Sequence, residues 1–314
     1  MLKFMLFGPG QAFYNDRLIG GFPNRQSFLL LCYLLLNPHY AHSRDHLATM
    51  FWGDYPTHIS RKYLRNSIWK LRQELESFGI VLDEYIQVDD ESIVFLTNSS
   101  YWLDTNEFEQ AVIHCQDIDP HTFTIEQANQ LESAVYLYHS DLLTGIYADW
   151  CLYDRERLFL LYISALAKLM NYYEFTGHYE RGLACGEMIL SRDNTREMIH
   201  LQMMRLYWSL GDRGAALAQY KRCAQILRDE LGIAPMKETT HIYQQMVNNQ
   251  YPTERGVTRS SELVPTHVQN VLAAYQLFDH TLLKLKHLQK IIEEANLEIR
   301  NLERIIASNI RNIE

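Results

Sequence analysis

Two stretches of this chain fall into register when one is slid 34 residues along the other: Tyr173 onto Tyr207, Gly177 onto Gly211, Leu183 onto Leu217 and Ala184 onto Ala218. That spacing is the tetratricopeptide period, with one helix pair per unit. A single pair cannot bury its own apolar face, so such units stack until neighbours cover one another. Two units rarely stand alone, and the helices expected from about 124 to 145 and 151 to 175 extend the stack. Gly182 and Gly186 stand where the second unit has Ala216 and Tyr220, so packing there should be close or imperfect. Stacked helix pairs bind and scaffold; they seldom catalyse.

Charge singles out a second segment. The formal net charge is −9, yet residues 57 to 73, THISRKYLRNSIWKLRQ, hold five basic side chains and no acidic one. Leu64, Ile68, Leu71 and Leu75 recur at helical steps of 4, 3 and 4, which predicts one inward stripe. Lys62, Arg65, Asn66, Trp69, Lys70 and Gln73 then share the solvated face, flanked by Arg61 and Arg72. A cationic face on an acidic chain suits a polyanion; a merely wet amphipathic helix would carry the same charges. The neighbourhood favours the first reading. Leu2 to Phe7 reads as a strand, and Asn24 to Leu36 as a buried helix between Pro23 and Pro38. Ser43 is placed to cap a second short helix. The runs 85–88 and 93–96 bracket Asp89-Asp90-Glu91-Ser92 as a hairpin. Strand, three helices and hairpin make a winged helix-turn-helix.

With GPGQAF early, SRDHLATMFWGDYP before the third helix and SSYWLDTNEFEQAV after the hairpin, the chain resembles the SARP-type transcriptional regulators. In that family a winged helix like those of response regulators precedes a bacterial transcriptional activator domain of helical repeats. LLTGIYADWCLYDRERL and GDRGAALAQYKRCAQILRDELGIAPMKETTHIY resemble that second domain, so the likeness covers about residues 1 to 250. It implies a sequence-specific activator that recognises repeated promoter sites and contacts the transcription machinery.

Residues 251 to 265 are short, polar and bracketed by proline, and read as a linker. Beyond them apolar residues recur at steps of 3 and 4, with Phe278, Leu282, Leu285, Leu288, Ile292, Ile299, Leu302 and Ile306 among them. So narrow a stripe needs a partner helix. The same helix of a second subunit is the simplest closed solution, giving a homodimer; the chain's own repeats or another protein are the alternatives. The organisation expected is mainly α: a winged helix at 1–103, helical repeats at 104–250, a linker at 251–265 and a coiled-coil helix at 266–314.

Several functions lack support. Gly8-Pro9-Gly10 is not followed by a phosphate-loop lysine, and neither GxGxxG nor GxSxG occurs, so no enzyme and no cofactor are expected. His39, His42 and His46 have a spacing that could bring two ligands one turn apart, without supporting acids or thiols. Asp149, Asp154 and Glu156 have Arg155 and Arg157 as ready ion-pair partners. Five scattered cysteines read as buried thiols. The longest apolar run, Phe28 to Leu36, is too short to span a bilayer, and the amino terminus has no convincing signal peptide. A cytoplasmic protein is expected.

The expected chemistry is double-stranded DNA binding. Arg61, Lys62, Arg65, Lys70 and Arg72 can neutralise phosphate or fork onto guanine, and Asn66 can pair with adenine. Trp69 either meets a thymine methyl or packs against the first helix, packing being the favoured reading. Arg25, Arg44 and His58 lie near helix starts, within reach of phosphates. The wing tip, Asp89-Asp90-Glu91, should be repelled by the minor groove. Residues 1 to 98 hold nine basic and ten acidic residues, so one module should bind weakly and dimerisation should help. The alternative is a scaffold whose winged helix no longer binds DNA.

Overall fold

The structure, a computed structural model, describes residues 1–19, 25–38 and 40–251; the linker and the coil expected beyond them lie outside the described residues. The chain runs through β1 (Leu2–Met5), β2 (Gln11–Tyr14), β3 (Arg17–Leu18), α1 (Arg25–Leu36), β4 (His42–Ser43), α2 (Arg44–Trp52), α3 (Thr57–Ser77), β5 (Ile86–Val88), β6 (Ser92–Phe95) and β7 (Tyr101–Leu103). The helices α4 (Asp104–Gln116), α5 (Ile125–Leu137), α6 (Asp149–Phe175), α7 (Tyr179–Leu190), α8 (Glu197–Ser209), α9 (Arg213–Ile226) and α10 (Lys237–Val247) follow. Met1 to Thr253 form one compact unit. The fold is mainly α, a winged helix followed by helical repeats.

Two small sheets frame the three helices of the winged helix. The first has strand order β3-β2-β1-β7, with β1 antiparallel to β2 and parallel to β7. Alternation puts Leu2 and Phe4 inside. The strand expected at 2–7 stops at Met5, because its would-be neighbour turns into α4 at Asp104. The Asp104 carboxylate then takes over the ladder, accepting the amides of Leu6 at 2.9 Å and Phe7 at 3.0 Å. The second sheet, β4-β6-β5, is the wing. Its turn closes with the Asp89 amide donating to the Ser92 carbonyl. Ser43 departs from expectation: its side chain makes no cap bond to α2. Its backbone is extended and paired with Ser92, so the strand register, not the helix, fixes the side chain.

In the repeats, the 34-residue period reappears in the hydrogen bonds. The amide of Gly177 donates to Glu174 and that of His178 to Tyr173; Gly211 donates to Trp208 and Asp212 to Tyr207. Both glycines are left-handed, with φ of 75° and 81°, which closes each helix without Cβ strain. A Cβ on Gly186 would lie 2.8 Å from Met203 Cγ, and one on Gly182 would lie 3.0 Å from Leu206 Cδ1; these glycines bring α7 and α8 together. α8 serves two cores. Met203 and Leu206 belong to the main cluster that begins at Leu2, whereas Leu201, Met204 and Trp208 pack with Ala216, Ile242 and Met246.

The winged helix and the repeats share backbone bonds. Gly8 donates to Asp141, Leu143 to Leu6 and Thr144 to Gly8, and Phe7 forms a β-bridge with Leu142. Arg155, expected in an ion pair, instead donates to the carbonyls of Leu142, Leu143 and Ile146, because that loop turns its carbonyls toward α6. Arg157 pairs with Asp154 and Glu109. At the start of α6, the Trp150 ring packs edge-on against Tyr33 of α1 and tilted against Phe51 of α2. All five cysteines are free and buried, and burial pushes each thiol pKa up, that of Cys151 to about 11.

Candidate nucleic-acid interface

α3 presents its cationic face because its apolar residues leave no choice. Leu64, Leu71 and Leu75 are buried, and Ile68 packs against the same core. At about 100° per residue, Lys62, Trp69, Gln73 and Asn66 fall at the centre of the opposite arc. Lys62, Arg65, Asn66, Trp69 and Gln73 are exposed and Lys70 is half-buried. His58 is exposed in the first turn. Trp69 corrects the favoured expectation: at 58% exposure it does not pack against α1, because its place on the helix points away from the core. A large apolar ring is thereby held in solvent among cations.

The turn before α3 is set by a residue that charge reasoning passed over. Ser60 is 3% exposed, and its hydroxyl lies 2.7 Å from the Trp52 carbonyl and 3.1 Å from that of Tyr55. The Tyr55 ring meets Tyr63 edge-on. Together they fix how α3 leaves α2. A small polar residue on the inward side of an amphipathic helix was the available signal.

The cations divide into two groups. Arg61 forks onto Asp45 with two bonds of 2.6 Å, and Arg72 forks onto Asp83 at 2.9 and 2.6 Å. The hydrogen bond from Arg61 holds the Asp45 carboxyl below its ordinary pKa. Arg44 donates at 2.9 Å to the Asp89 carbonyl in the wing, placing one cation beside the acidic tip. By contrast, Lys62, Arg65 and Lys70 have no hydrogen bond or ion pair among the described residues. The Arg25 side chain lies outside the described part.

Other candidate chemistry does not gather here. His42 is buried in β4 with Nε2 3.0 Å from the Asn37 carbonyl, His46 is exposed on α2, and His39 is outside the described residues. Among the described residues no group of three His, Cys, Asp or Glu is arranged to hold a metal, and no helix is long and apolar enough to cross a membrane.

Comparison with known proteins finds likeness at two levels, a domain and a fold. Residues 103–247 match the bacterial transcriptional activator domain. No curated protein sequence matches the chain significantly. Among solved structures, Mycobacterium tuberculosis EmbR in complex with a low-affinity phosphopeptide shares the fold, with a TM-score of 0.65 at 19% identity. That match covers 80% of this chain and 66% of the other, just under two thirds of its length. Residues 103–247 are thus similar to a bacterial transcriptional activator domain, and the fold from the winged helix through the repeats is similar to that of EmbR.

Proposed function

We propose that the chain is a sequence-specific DNA-binding activator whose α3 enters the major groove. The observation that carries this reading is the outward face of α3, where Lys62, Arg65 and Lys70 stand without partners among the described residues, around Asn66 and Trp69. Lysine and arginine can meet phosphate or guanine there, Asn66 can pair with an adenine edge, and Trp69 suits a thymine methyl. His58 and Arg44 flank the helix toward the phosphates. The acidic wing stands off the duplex, so one module binds weakly. A homodimer formed by residues 266–314, through Phe278, Leu282, Leu285, Leu288, Ile292, Ile299, Leu302 and Ile306, raises the effective concentration of the second module. The transcription machinery is the partner assigned to the repeats, and the cytoplasm the place of action.

Selection of genomic fragments by the purified chain at two salt concentrations tests the reading. It requires enrichment of a shared, repeated site, and loss of at least ~10-fold in affinity for that site on Lys62→Ala plus Arg65→Ala. No enrichment at low salt supports the second reading, an interaction scaffold, which the exposed carboxylates of the wing favour. For the coil, removal of residues 266–314 should convert a dimer into a monomer in light scattering; a truncated chain that stays dimeric refutes that role.

A further inference from the structure

On the reading that α3 faces DNA, we propose that Asp45 and Asp83 are specificity-determining residues, each withholding one arginine of the recognition surface from the phosphates. Arg61 and Arg72 are eleven residues apart, three turns of helix, and so lie on the same edge of α3. Each is met there by a carboxylate from a different neighbour: Asp45 from the first turn of α2, and Asp83 from the turn that leads into β5. Both contacts are two-pronged. The fork that a guanidinium offers a carboxylate is the one it would offer a phosphate or the O6 and N7 of guanine, so the acid and the DNA compete for the same donors.

The pairs do little for the fold. The side chains of Arg61 and Asp45 are 56% and 57% exposed, and those of Arg72 and Asp83 are 37% and 56%; ion pairs so open to water add little stability. Their effect falls on the field that DNA meets. Five cations on α3 present the charge of three, and those three surround the side chains placed to read bases. Binding to arbitrary DNA comes almost wholly from released counterions, whereas binding to a cognate site adds base contacts. Two neutralised arginines therefore weaken the arbitrary mode most. Discrimination is gained by charge removed.

The experiment uses the full chain carrying Asp45→Asn and Asp83→Asn together, with binding by fluorescence anisotropy to the selected fragment and to an unrelated duplex of equal length over a KCl series. Affinity for the unrelated duplex should rise by ~10-fold or more, and its salt slope should steepen by about two. The preference for the selected fragment should fall. Removing both members of each pair, Asp45→Asn and Asp83→Asn together with Arg61→Ala and Arg72→Ala, leaves the charge of the face unchanged and should change affinity for either duplex by less than ~3-fold. If that fourfold replacement weakens binding as much as Lys62→Ala plus Arg65→Ala, the arginines already engage DNA and the proposal is overturned. It is equally overturned if the asparagine pair leaves the unrelated duplex and its slope unchanged. If Lys62→Ala plus Arg65→Ala has no effect on the selected fragment, the DNA-binding reading itself fails and takes this one with it. The asparagine replacements are isosteric, and an unchanged thermal midpoint shows the fold intact.

Discussion

Replacement of Asp104 by alanine removes the joint at which β7 becomes α4. The carboxylate is 1% exposed and accepts the amides of Leu6, Phe7 and Thr105 at 2.9, 3.0 and 2.8 Å. Without it, the Leu6 and Phe7 amides are left in a core where both residues are at most 1% exposed. Each orphaned donor costs about 1–3 kcal/mol. Part of that is offset, because ionising the carboxyl there is itself unfavourable: burial pushes its pKa up even against three amides. The net loss should be about 2–4 kcal/mol. Asp104→Asn keeps one acceptor oxygen and sets an amino group against an amide, so its loss should be smaller, about 1–2 kcal/mol by the same principle. Urea unfolding of the full chain, followed by tryptophan fluorescence and far-UV circular dichroism, measures both. A loss under ~1 kcal/mol for alanine, or a larger loss for asparagine than for alanine, would refute the reasoning. The pH dependence has a defined sign. With the folded pKa raised, the native state holds the extra proton between the two values, so this group's contribution declines as pH rises from the unfolded value of about 3.9. The advantage of the native chain over Asp104→Asn should therefore be greatest in acid.

Ser60→Ala should cost about 1 kcal/mol and lower the thermal midpoint by roughly 2–4 °C; no change would remove Ser60 from the α2–α3 turn. His200 is buried, with Nε2 2.9 Å from the Asn194 carbonyl and Nδ1 2.8 Å from Gln219 Nε2, and burial lowers its pKa. Its stabilising effect should be complete above the unfolded value of about 6.5 and lost as pH falls toward the folded one, so His200→Gln should flatten the acid side of a denaturation profile. Gly186→Ala gains about 1 kcal/mol of helix propensity but crowds Met203 at 2.8 Å. The flexible thioether should hold the net loss to about 1 kcal/mol or less, with Gly186→Val clearly worse; melts that rise with either substitution would contradict the close packing of α7 on α8.

What the sequence shows about this fold divides by distance along the chain. The inward stripe of α3 and the wing turn at 89–92 are local patterns, and both formed where expected. The 34-residue period is also local, and its turn bonds repeat with the same spacing. The hairpin of β2 and β3 also has a local signal, the pair Asn15-Asp16: both have positive φ, 48° and 63°, as a two-residue hairpin turn requires of its central pair. Other features carry no local signal. β7 finds β1 across 99 residues, with Leu2 opposite Tyr101, and β4 is only two residues long. In the candidate interface, composition picked out the basic residues but gave no hint that Asp45, 16 positions away, holds Arg61. Trp69 runs against the tendency of tryptophan to be sheltered, and the phase of α3 is what sets it in solvent.

Three backbone bonds stitch residues 6–8 to 141–144, so the winged helix is tied to the repeats by main chain as well as by side chains. A cut after Leu103 would strip the Leu6 and Phe7 amides of Asp104 and part Phe7 from Leu142, so neither piece would be a faithful sample of its half. Chimaeras that exchange the winged helix must carry the 141–144 turn with it. A hinge between the two halves could open only by breaking those three bonds and the Phe7–Leu142 bridge.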